Sequence, residues 1–141
     1  IAGYLYDCGK RINFENAVKN SFEVIINSKI KGVSQKEILL GAFACMLQDL
    51  DNFNLSEWVR YSTIVSEEDA LAVKKIGVLV QLSAALDASK SGAVDDLTCD
   101  ILGDSIIMKT IVNKEADFEI KEAMKVNTNF KKVFTKFIEV I

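Results

Sequence analysis

The sequence predicts a mainly α chain: a helical bundle over residues 1–92, then a small α+β subdomain over residues 93–141 that contains a β-hairpin. Three observations carry that expectation. Apolar residues recur at three- and four-residue spacing through the first two-thirds of the chain. Two stretches, residues 34–37 and 66–69, have the composition of helix starts. After Gly92 the period shortens to two, as it does along a strand.

The elements follow in order. Residues 1–7 read as the end of a helix stopped at Cys8-Gly9. Asn13 is placed to cap a second helix, in which Phe14, Ala17, Val18, Phe22, Ile25 and Ile26 fall at helical spacing. That helix is expected to end near Ser28, with Gly32 in the following turn. In Ser34-Gln35-Lys36-Glu37 the serine hydroxyl and the glutamate carboxylate can each satisfy a free backbone N–H, which makes a capping box. The helix it starts runs to about Leu50 and is apolar almost all round, as suits the middle of a bundle. Asn54 and Glu57 fit the start of a short helix carrying Trp58 and Tyr61. Ser66, followed by Glu67, Glu68 and Asp69, opens the longest helix with an acidic turn that complements the positive end of the helix dipole. Ala72, Ile76, Leu79, Ser83 and Leu86 form its expected core stripe.

Beyond Gly92, Leu97, Cys99 and Ile101 alternate with Thr98 and Asp100, the pattern of a half-buried strand. Gly103-Asp104 fits a two-residue hairpin turn into a β-branched second strand over residues 106–112. Residues 115–125 admit two readings. Phe118 and Ile120 alternate, while Ile120, Ala123 and Met124 keep helical spacing, and a helix is the expectation. Asn129 is placed to cap a last helical turn or two with Phe130, Val133 and Phe134, and residues 137–141 fit a third strand.

Composition narrows the function. A chain of 141 residues, half hydrophobic and a quarter charged, suits one globular domain with at most a small appendage. Its 17 basic and 20 acidic residues are interspersed, so the basic face of a nucleic-acid binder is not expected. No apolar run approaches the ~20 residues that span a bilayer, and no signal peptide is visible, so no membrane partner is expected. Cys8, Cys45 and Cys99 are odd in number, far apart and among apolar neighbours; buried reduced thiols in a cytoplasmic compartment are the expectation. The opening Ile1-Ala2-Gly3 lies inside an apolar run without methionine, as in an excised piece of a longer chain.

There is no histidine, so the usual general base for a serine or cysteine nucleophile is missing, and so is the usual metal ligand. The seven glycines never cluster, which excludes loops that bring several backbone N–H groups to a phosphate. No catalytic residue, metal or cofactor is expected in this chain.

One resemblance covers nearly its whole length. Leu5-Tyr6-Asp7-Cys8-Gly9, with Ile12 after it, is similar to the L-H-D-I-G…I signature of HD-type phosphohydrolases. Lys19-Asn20-Ser21-Phe22-Glu23-Val24-Ile25 then resembles a segment with H-S before an apolar run. Asn27-Ser28-Lys29-Ile30-Lys31-Gly32-Val33-Ser34 resembles N-S-x-L-x-G-F-S. Ser66-Glu67-Glu68-Asp69 matches S-E-E-D, and the stretch from Gln81 to Gly92 resembles R-I-A-D-A-L-D-R-S-H-S-G. Phe130-Lys131-Lys132-Val133-Phe134 resembles an F-E-E-V-F ending. The ordered set resembles the C-terminal domain of the exopolyphosphatase/guanosine pentaphosphate phosphohydrolase (Ppx/GppA) family.

The resemblance implies an HD-like bundle in which imidazoles and carboxylates from several helices would hold a divalent cation. Here Tyr6 and Asn20 stand where the family has histidine, Gln48 stands near a third such position, and Ala84 replaces an aspartate; only Asp7 survives. A dismantled metal site is therefore expected, either as a relic pocket with Lys10, Arg11 and Lys90 as anion contacts or as a buried hydrogen-bonded plug. The resemblance implies partners as well: actin-like catalytic domains earlier in the same parent chain, a homodimer contact and contact with polyphosphate. The implied role is a non-catalytic accessory domain acting in assembly, in the polymer path or in regulation. The alternative is a stand-alone phosphate- or nucleotide-sensing domain. Trp58, Tyr61 and Phe53 fit either a partner surface or a lid on the helical core, and Met46, Met108 and Met124 are expected to be packing residues.

Overall fold

The computed structural model describes residues 1–47 and 55–141. They form two compact units, Ile1–Val80 and Gln81–Ile141. The division falls inside a helix, earlier than the change of period at Gly92.

The first unit begins with a short helix α1 (Ala2–Leu5) and a 3-10 turn (Cys8–Arg11). Helix α2 (Ala17–Ile26) starts later than Asn13 suggested. The Asn13 side chain instead accepts the Glu15 N–H at 2.8 Å, closing a local turn that competes with helix extension. Phe14 lies before the helix and is 81% exposed, so it is not a core residue. Gly32 takes the turn with φ +82°, a conformation that L side chains rarely adopt. Helix α3 (Gln35–Met46) opens on the expected capping box: Ser34 Oγ accepts the Glu37 N–H, and the Glu37 carboxylate accepts the Ser34 N–H at 2.8 Å. Residues 38–39 and 41–45 of α3 are buried, as an all-round apolar helix requires. The expected extension to Leu50, Phe53 and the Asn54 cap lie outside the described residues.

Phe43 stands at the centre of this unit. Its ring makes edge-on contacts with Phe22 (5.1 Å), Trp58 (4.9 Å) and Tyr61 (6.0 Å). Trp58 is carried by α4 (Leu55–Arg60) and is buried, so it closes the core. Helix α5 (Glu67–Ala85) begins as expected at Ser66, whose N–H is accepted by Asp69 at 2.7 Å. Its buried face is not the expected one. Val73, Gly77, Val78, Leu82 and Leu86 are buried, whereas Ala72, Ile76, Leu79 and Ser83 are exposed. Gly77 sets that rotation in the first unit, because a Cβ there would lie 2.8 Å from Leu47 Cβ.

The second unit holds the end of α5 and a three-stranded sheet in the order β1-β2-β3, with β1 (Val94–Leu102), β2 (Ser105–Val112) and β3 (Phe137–Val140). Strands β1 and β2 form the expected hairpin across Gly103-Asp104, with Gly103 at φ +56°. Strand β3 pairs with β2 in parallel, which requires the crossover supplied by α6 (Asp117–Lys125) and α7 (Asn127–Phe134). Of residues 115–125, Asp117–Lys125 form the expected helix. Asn129 does not cap α7; it lies within it and donates to Gln81 Oε1 at 3.1 Å, while Asn127 Oδ1 accepts the Ile138 N–H. Met108, Ala123, Phe130, Ile138 and Val140 form the core of this unit. The half-burial expected of β1 is not found: Leu97, Cys99 and Ile101 are all exposed. Alternation reports the pleat of a strand, and only a covering layer makes one of its faces a core. Among the described residues no helix is long and apolar enough to cross a membrane.

Candidate functional site

The residues singled out at the start of the chain meet at one buried serine. The Gly9 N–H donates to Ser21 Oγ at 2.9 Å, and the Ser21 hydroxyl donates to the Tyr6 carbonyl at 3.2 Å. Ser21 is fully buried. The L-Y-D-C-G stretch and the N-S stretch, twelve residues apart at these atoms, are thus tied by one hydroxyl. Glycine is required on the other side of the tie. A Cβ at Gly9 would fall 2.1 Å from the Ala17 carbonyl oxygen and 2.3 Å from the Ser21 nitrogen. Both are backbone atoms, so the 3-10 turn and α2 touch along their main chains.

Around this junction the side chains expected to form a relic pocket are only partly covered. Tyr6, Asp7 and Asn20 are half-buried, so they do not make a sealed polar plug. Asp7 faces Lys10 at 3.7 Å, one turn on, and the Lys10 ammonium lies 5.9 Å from the Tyr6 ring centroid. The Asn20 amide reaches the Asn13 carbonyl at 3.5 Å. The physical reason is the shortness of α1: four helical residues leave Tyr6 and Asp7 in a turn at the rim of the unit. Arg11 is exposed at the end of the 3-10 turn. Gln48 lies outside the described residues. Ala84 and Lys90 belong to the second unit, where Lys90 pairs with Asp87 at 3.1 Å.

Among the described residues no three histidine, cysteine, aspartate or glutamate side chains are grouped as a metal site would need. Asp7 is left as one carboxylate beside an ammonium, an arrangement that neutralises charge without gathering a cation. The cysteines divide. Cys45 is buried, its S–H donates to the Ala2 carbonyl at 3.6 Å, and burial pushes its thiol up to about 12. Cys8 is half-buried and Cys99 is exposed, against the expectation that all were buried.

A second polar cluster escaped the sequence reading. Glu119, on the first turn of α6, is buried, and its carboxylate accepts the Ser89 hydroxyl. Ser89 Oγ also accepts the Ser91 N–H at 3.3 Å, and Lys114 Nζ donates to the Ser91 carbonyl at 2.6 Å. The Ser89 hydrogen bond holds the Glu119 carboxyl below its ordinary 4.5. Lys90 in this loop has φ +58°, a left-handed turn that puts the two serines on one side of it. The available signal was the S-K-S-G stretch itself, since closely spaced serines before a glycine favour such turns. No protein-family model matches the chain, and no curated protein is similar enough to be matched to it.

Proposed function

We propose that this chain is a non-catalytic accessory domain of a Ppx/GppA-like phosphoanhydride hydrolase, an HD-like bundle whose metal site has been dismantled. The observation that carries the reading is the Ser21 tie. It joins the two motif stretches that in an HD domain bring ligands to one place, while the side chains flanking it are Tyr6, Asp7 and Asn20 rather than imidazoles. A scaffold that keeps the junction and lacks the ligands serves assembly, the path of a polyphosphate chain, or regulation. Hydrolysis then falls to actin-like domains of the parent enzyme, and a cytoplasmic setting suits three free thiols. The rival sensor reading asks Lys10 to leave Asp7, and Lys90 to leave Asp87, before either can meet an anion.

The test is turnover. The purified chain, supplied in turn with magnesium, manganese and cobalt, is expected to release no phosphate from polyphosphate or guanosine pentaphosphate. Metal-dependent release that disappears in Asp7→Ala would overturn the proposal.

A further inference from the structure

A cleft of the first unit has a chemistry that the junction at Ser21 does not share. It encloses about 700 Å³, within the ~300–1,000 Å³ typical of small-molecule sites. Its floor is apolar, built from Ile26 at the end of α2 and from Ile38 and Leu39 on α3. The loop between those helices supplies Ile30 and Val33, and Tyr61 and Ile64 also line it. The N-S-K-I-K-G-V-S stretch is therefore the wall of a cavity as well as a connection.

Charge on this cleft is one-sided. Lys29 and Lys31 line it, and among the described residues no aspartate or glutamate does, in a chain whose acidic residues outnumber its basic ones. Both lysines are exposed and neither has an ion pair among the described residues. Lys10 and Lys36 of the unit are paired, with Asp7 and with Asp69 at 2.7 Å, whereas Lys19 and Lys75, away from the cleft, are not among the described ion pairs. Two polar side chains of the lining are also spent. Asn27 donates its amide to the Glu23 carbonyl at 2.8 Å, and Ser28 donates its hydroxyl to the Ile25 carbonyl at 2.6 Å, both finishing α2. Gln35 and Tyr61 add one amide and one hydroxyl to the lining. The rest of the lining is apolar area with two unneutralised ammonium groups.

We infer that this cleft binds a small amphipathic anion, one acidic head group on an apolar body, with the head at Lys29 and Lys31 and the body over Ile38 and Leu39. Burial of the body supplies the affinity, and the lysines select the sign of the head group. This site does not depend on the accessory-domain reading.

The experiment is a titration of the ¹⁵N-labelled chain with decanoate, followed by amide shifts. Decylamine, inorganic phosphate and guanosine diphosphate serve as separate arms. Saturable shifts confined to residues 26–39 and 61–64 are expected with decanoate and with none of the other three. The double variant Lys29→Ala/Lys31→Ala is expected to weaken decanoate by about fivefold or more, from two partly screened charge contacts. Loss of two exposed lysines elsewhere, Lys75→Ala/Lys121→Ala, leaves binding unchanged. Val33→Trp fills the cleft and abolishes it; if that variant fails to fold, the lysine pair still decides. Equal binding of decylamine, phosphate or guanosine diphosphate, shifts elsewhere, or indifference to the Lys29/Lys31 change would each overturn the inference.

Discussion

At the scale of single residues, Gly9 and Ser21 are the most demanding positions in the first unit. Ser21→Ala removes the acceptor of a buried N–H and is expected to cost about 1–3 kcal/mol in chemical denaturation, the penalty of an unsatisfied buried donor. Gly9→Ala places a methyl group on two backbone atoms, so loss of the folded first unit is expected, seen as collapse of near-ultraviolet dichroism from Trp58. Acid should act mainly through carboxyls held low in the folded state. Glu119 is lowered by Ser89, Glu37 by Ser34, and Asp69 by Lys36 and the Ser66 N–H. A carboxyl depressed by folding stabilises above its unfolded value and loses that contribution as pH falls through the folded one. The melting temperature should therefore hold down to about pH 4.5, the ordinary glutamate value, and fall below it. Ser89→Ala should flatten that acid limb, and an unchanged limb would contradict the role given to Glu119. The glycine and the serine were legible as members of a motif, but their bond was not. Spacing along a chain does not say which backbone atoms will touch.

At the scale of elements, the two serine-led helix starts were legible and the face of α5 was not. Ser34 and Ser66 announce their helices because a capping box is local chemistry, complete within four residues. The face of α5 is not local. Ala72, Ile76 and Leu79 make as good a stripe as Val73, Val78 and Leu82, and the close approach of Gly77 to Leu47 selects the second. The two faces should respond differently. Val73→Lys buries a charge and should cost several kcal/mol, whereas Ile76→Lys, at a position 41% exposed, should stay within about 0.5 kcal/mol in urea unfolding. Equal costs would contradict the assigned face. The same limit applies to β1, where alternation located the strand but not its exposure, and to Asn13 and Asn129, whose side chains found nearer partners than a helix end.

At the scale of the whole molecule, the mixture of helices and a hairpin-based sheet was legible because the apolar period changes once, near Gly92. The parallel return of β3 was not, since it depends on how α6 and α7 fold back. Of the candidate site, the Gly9 N–H and the Tyr6 carbonyl meet at one buried hydroxyl, and among the described residues no set of metal ligands is grouped. The proposed reading as an accessory domain is open to direct measurement. Calorimetric titration of the purified chain with manganese, cobalt and nickel at neutral pH should give no saturable binding beyond that of the Asp7→Ala variant. Stoichiometric micromolar binding that Asp7→Ala removes would contradict the account.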